Sequence, residues 1–116
     1  DSVKVALDSF DQNILLLMGG KDKGGNFVDI IPHFKDKVKK IITFGQARDK
    51  ISIALRDAVR LKKVNDLRDA VEFCHLNAVP GDIVLLSPGC ASFDQFSNFE
   101  KRGFEFKKLV KEIATA

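Results

Sequence analysis

Short continuous apolar runs, each cut off by a turn-forming residue, constrain this chain more than any other feature. Asn13–Met18 (NILLLM) stops at Gly19-Gly20, Lys40–Phe44 (KIITF) stops at Gly45, and Asp82–Leu86 (DIVLL) runs into Ser87-Pro88-Gly89. A strand with one wet face alternates apolar and polar residues, whereas a strand buried on both faces has no reason to. Runs of this kind therefore predict the inner strands of a parallel sheet. None is long enough to cross a membrane.

The segments between the runs carry helical spacing. Val3, Ala6, Leu7 and Phe10 share one helix face, with Asp1 or Ser2 as the N-cap. Ala47, Ile51, Ala54 and Leu55 predict a helix behind the second strand. Asp66 caps a third helix, whose apolar face is Leu67, Ala70, Val71, Cys74 and Ala78. Residues 26–37 read as a short helical stretch with Pro32 in its first turn or at a break. Val59–Lys62 predicts a weaker strand, Pro80-Gly81 a turn, and residues 94–113 a mostly helical tail with Gly103 as a joint. Strands alternating with helices define an α/β fold, a Rossmann-like, mainly parallel sheet flanked by helices. The 116 residues make one domain, residues 1–116.

Composition narrows the function classes. With 45% hydrophobic and 30% charged residues the chain is globular. A net charge of +3, with acids spread among the bases, argues against nucleic-acid binding. The basic stretch Lys35–Lys40 (KDKVKK) reads as a solvated face. Cys74 and Cys90 have no metal-binding spacing, and Cys74 reads as a core residue. Both thiols are expected to stay reduced in a cytoplasmic setting. His33 and His75 read as surface or packing residues. No signal peptide is visible, and the start on Asp1 without Met suggests a portion of a longer protein.

In open parallel sheets, ligands sit beyond the carboxyl ends of the strands. Two loops fall there. Gly19–Gly25 (GGKDKGG) offers main-chain amides and two cations, Lys21 and Lys23, which suits an anion. It matches neither GxxxxGK[ST] nor GxGxxG. Ser87–Phe93 (SPGCASF) offers hydroxyls at Ser87 and Ser92, and free amides where the tail helix begins. The plainer readings are a polar turn for the first loop and a helix cap for the second. If both preceding strands are parallel, both loops emerge on one edge of the sheet.

These loops also carry a resemblance. ILLLMGGKDKGGNF, the PGDIVLLSP lead-in and LLSPGCASFDQFSNFEKRGFEF are similar to the C-terminal domain of the Mur ligases, nearest to members that add D-glutamate, over essentially the whole chain. The resemblance implies an enzyme of three domains, which bind a UDP-linked substrate, ATP and the incoming amino acid. It implies ATP-dependent amide formation between UDP-N-acetylmuramoyl-L-alanine and D-glutamate in the cytoplasm. ATP and Mg²⁺ would belong to the full-length enzyme, with no cofactor and no metal site expected in this chain. By the match of motifs, Lys23 would pair with a D-glutamate carboxylate. Ser92 would hydrogen-bond a carboxylate, Phe93 would offer its main-chain amide, and Phe99 would close the pocket. No residue of the chain matches a catalytic group, so the chain alone is expected to be inactive.

One departure from the family pattern follows. An Asp-Ser-Lys-Ala-Thr-Asn-like segment that helps grip the acceptor has no counterpart, since Asp1-Ser2 continues Val-Lys-Val-Ala. That segment and the domain's first strand are expected to precede Asp1. The residues also allow other readings: an acceptor domain for another amino acid, a flavodoxin-like or receiver-like binding module, or a docking surface built from Phe93, Phe96, Phe99, Phe104 and Phe106. Packing of the last helix explains those phenylalanines more simply.

Overall fold

The computed structural model describes Leu7, Asp8 and residues 10–20 and 27–87. In chain order they form β1 (Ile14–Gly19), a 3-10 helix η1 (Phe27–His33), β2 (Val38–Phe44), α1 (Arg48–Leu55), β3 (Leu61–Lys63), α2 (Leu67–Asn77) and β4 (Ile83–Ser87). The strands make one sheet in the order β3-β2-β1-β4, and every neighbouring pair is parallel.

The apolar runs find their reason in the two layers that cover this sheet. Along β1, Ile14, Leu16 and Met18 point to one face, where they pack with Leu7, Phe27 and Ile30 of η1, and Ile51 and Leu55 of α1. Leu15 and Leu17 point to the other face, where they meet Leu67, Ala70, Val71 and Cys74 of α2. Side chains alternate along a strand, so helices on both faces demand apolar residues at every position. Each large side chain buried in this way contributes about 1.5–3 kcal/mol.

Local chemistry sets the helix ends. The Asp66 carboxylate accepts the Asp69 N–H at 2.9 Å and caps α2. The buried residues Leu67, Ala70, Val71 and Cys74 follow at helical spacing. The expected extension of this face to Ala78 fails. The helix ends at Asn77, and Ala78 turns to extended backbone (ψ 146°) and is exposed. By contrast α1 has Ala47 at its N-cap and no side-chain cap, so tertiary contacts hold its start.

Other boundaries shift for physical reasons. Asn13 stands before β1 with φ 62°, and its carbonyl accepts the Ile83 N–H at 2.8 Å. Gly19 completes β1 instead of opening the loop. Pro32 lies near the end of η1, beyond its first turn. The third strand is Leu61–Lys63, set by register with Ile41–Thr43.

The basic stretch is more than a solvated face. The β1–β2 register shifts between Ile14 and Leu15, whose partners are Val38 and Lys40, which leaves Lys39 as a bulged residue. Its ammonium donates to both Asp82 oxygens at 2.8 and 3.0 Å, and so ties β2 to the start of β4. Lys37 Nζ donates to the Leu7 carbonyl at 3.2 Å, and Lys40 Nζ lies 5.2 Å from the centre of the Phe73 ring. The Asp82 carboxylate also accepts the Val79 N–H at 3.0 Å, which closes the Pro80-Gly81 turn.

Candidate functional site

The carboxyl ends of the strands form one rim. β1 and β4 are parallel neighbours, and Met18 pairs with Ser87 in register. The chain therefore leaves the sheet toward Lys23 and toward Ser92 from adjacent strand ends on one edge. Sheet order reverses at this junction, since β2 and β3 lie to one side of β1 and β4 lies to the other. Such a junction is where open α/β sheets place their ligands. The four predicted site residues, Lys23, Ser92, Phe93 and Phe99, lie outside the described residues, as do Cys90 and the expected tail helix.

The stem of the first loop is tightly built. A Cβ on Gly19 would collide with the carbonyl oxygen and ring of Phe44, so this glycine serves close strand packing. Gly20 has φ 108°. Its N–H donates to the Phe44 carbonyl at 3.1 Å, and its carbonyl accepts the Ala47 N–H at 2.9 Å. The next turn is secured in the same manner. The Gly45 N–H donates to the Asn65 carbonyl at 3.0 Å, and the Gly45 carbonyl accepts Arg48 Nη1 at 2.8 Å. The sequence marks this turn by the glycine directly after the second apolar run, but carries no sign of its partners Asn65 and Arg48.

Charges elsewhere serve structure. Asp82 has a side chain only 3% exposed, and its carboxyl lies below its ordinary value of 3.8. The Lys39 hydrogen bond is the main cause, helped by the Val79 N–H, against an opposing effect of burial. Burial, with a smaller push from the Asp82 charge, raises the Cys74 thiol to about 11 and keeps it protonated at neutral pH. His33 Nδ1 lies 3.7 Å from the Asp8 carboxylate at the surface. Among the described residues, no three of His, Cys, Asp or Glu come together as a metal site, and no helix is long and apolar enough to cross a membrane. A groove of about 730 Å³ runs between α1 and β3, lined by Asp49, Ile53, Arg56 and Lys63 among others. It lies two strands away from the β1–β4 junction.

A parallel sheet covered on both faces, with its order reversing at β1 and β4, defines a doubly wound α/β domain. The family model described as the Mur ligase, glutamate ligase domain, matches residues 1–90, and the chain belongs to that family. Three curated relatives carry the name UDP-N-acetylmuramoylalanine–D-glutamate ligase. The protein from Chlamydia caviae is 43% identical over 97% of this chain and 27% of its own length. That from Syntrophus aciditrophicus is 41% identical over 97% of this chain and 25% of its own. That from Pseudomonas fluorescens is 46% identical over 87% of this chain and 22% of its own. The chain thus spans about a quarter of the length of these relatives.

Proposed function

We propose that this chain is the amino-acid-binding domain of an ATP-dependent ligase that joins D-glutamate to UDP-N-acetylmuramoyl-L-alanine in cell-wall synthesis. The observation that carries the reading is the parallel pairing of β1 with β4, the strands whose ends lead to the Lys23 and Ser92 loops. The names of the relatives supply the substrates. D-Glutamate bears two carboxylates. In this reading the Lys23 ammonium pairs with one carboxylate, while the Ser92 hydroxyl and the Phe93 N–H donate to a carboxylate. Phe99 closes the pocket. The receiver-like alternative loses its footing, because β1 ends in Met18-Gly19 and β2 in Thr43-Phe44, without an acidic residue on either.

The domain then works by orientation. The deprotonated amine of D-glutamate attacks an acyl phosphate on the other substrate. A C–N bond forms, the tetrahedral intermediate collapses, and phosphate departs with the electron pair of the broken C–O bond. Holding the amine in line for this attack is worth up to about 7–11 kcal/mol in ideal cases. ATP supplies the phosphoryl group, and Mg²⁺ neutralises its charge in the whole enzyme. In this reading the metal's ligands belong to other domains of the whole enzyme. ATP and the UDP-linked substrate place the reaction in the cytoplasm.

In the full-length ligase, Lys23→Ala is expected to raise the D-glutamate KM. Loss of a charged hydrogen bond costs about 1.5–3 kcal/mol, or roughly tenfold to a hundredfold and more in KM. An unchanged KM overturns the assignment. A panel of D-glutamate, L-lysine and D-alanyl-D-alanine tests the substrate, and turnover of either of the latter two in place of D-glutamate overturns the specificity.

A further inference from the structure

We infer that the turn between β2 and α1, with Arg48 as its lock, is the positioning device for the acceptor loop, a role that rests on the acceptor-binding reading above. The loop that carries Lys23 must start from a fixed direction if a flexible lysine is to meet a carboxylate repeatedly in one place. The structure shows what fixes its start. The Gly20 peptide is gripped from both ends of one turn, through its N–H by the Phe44 carbonyl (3.1 Å) and through its carbonyl by the Ala47 N–H (2.9 Å). These are the last residue of β2 and the residue directly before α1.

The grip depends on the shape of the turn between Phe44 and Ala47. Gly45, at φ 75°, bends the chain there. Arg48 then holds the bend by two bonds to the Gly45 carbonyl, one from its main-chain N–H (3.3 Å) and a shorter one from Nη1 (2.8 Å). On its other side the Gly45 N–H is tied to Asn65 after β3 (3.0 Å). Hydrogen bonds and the Phe44–Ala47 chain itself thus connect Asn65 to Gly20 along the carboxyl rim. Ala47 offers no side-chain cap to α1, and the guanidinium of Arg48 helps secure this corner from the side-chain side. Arg48 acts through the Gly45 turn on Gly20, and through Gly20 on the direction in which the loop departs.

Gly20 itself is the second sensitive point. Its φ of 108° is a conformation that a side chain opposes. An alanine there forces the peptide to rotate, and rotation breaks one of the two grips.

The test uses the full-length ligase and steady-state kinetics with each substrate varied in turn. Gly20→Ala is expected to raise the D-glutamate KM by about tenfold, and Arg48→Ala by about threefold to tenfold, with the ATP KM unchanged. Arg48→Lys keeps one donor on the same path and is expected to recover most of the loss. Should Gly20→Ala fail to fold, the Arg48 pair decides the matter, with thermal melting followed in parallel. A D-glutamate KM unchanged in Arg48→Ala, while Lys23→Ala raises it, overturns the positioning role alone. ATP and D-glutamate KM values that rise together show a general structural role and also overturn it. An unchanged D-glutamate KM in Lys23→Ala overturns the parent reading and this inference with it.

Discussion

At the scale of single residues, identical side chains and simple charges take on different duties by position. Gly19 is needed for space, because its missing Cβ lets Phe44 lie directly against β1. Gly19→Ala is expected to destabilise the chain by about 1–3 kcal/mol, the usual cost of overpacking, as read from urea unfolding. Asp82 gives a pH-dependent term. Its carboxyl is held below 3.8, so the stability it supplies is fully present above that value and is lost as pH falls through the lowered one. The stability gap between the native chain and Asp82→Asn is therefore expected to shrink below about pH 4 in acid unfolding curves. Cys74 has the opposite slope. Its thiol ionises near 9.0 when exposed and near 11 when folded, so its contribution is full below 9.0 and falls away as pH rises through that window. In a Cys90→Ser background, a thiol reagent at neutral pH is expected to label Cys74 only on unfolding. Rapid labelling of the folded chain would contradict its burial.

At the scale of elements, the two α-helices reach their starting points by different means. α2 has a complete local signal, with Asp66 at its N-cap and apolar residues at helical spacing behind it. Asp66→Ala is expected to cost about 1 kcal/mol in equilibrium unfolding, a typical loss for a capping side chain. α1 has no such cap, and its first turn is secured by Gly20, Gly45 and Arg48 across the rim. Short strands follow the same division. β1 is recognisable from its apolar run, while β3 is only three residues long and owes its bounds to pairing with β2.

At the scale of the whole molecule, β1 is the element on which everything else converges. It pairs on both edges and is covered on both faces. Leu16, fully buried at its centre, belongs to the cluster that joins Leu7, η1 and α1 to the sheet. Leu16→Ala is expected to cost about 2–5 kcal/mol, measured by denaturant unfolding, with loss of helix and sheet in a single transition. The strand order also reverses beside it, with β2 and β3 on one side and β4 on the other.

The α/β class, the inner strands, the capped helix and the burial of Cys74 were all legible from residue types and their spacing. Periodicity records how many faces of an element meet other atoms, and that record is local. The likeness of GGKDKGG and SPGCASFDQF to a ligase family was legible as well. Tertiary structure alone decided that β1 and β4 are neighbours, that Lys39 bulges out to hold Asp82, and that Gly20 is gripped by the turn before α1. Each of these joins residues far apart in the chain through hydrogen bonds or register, and spacing along a sequence carries no measure of distance across a sheet.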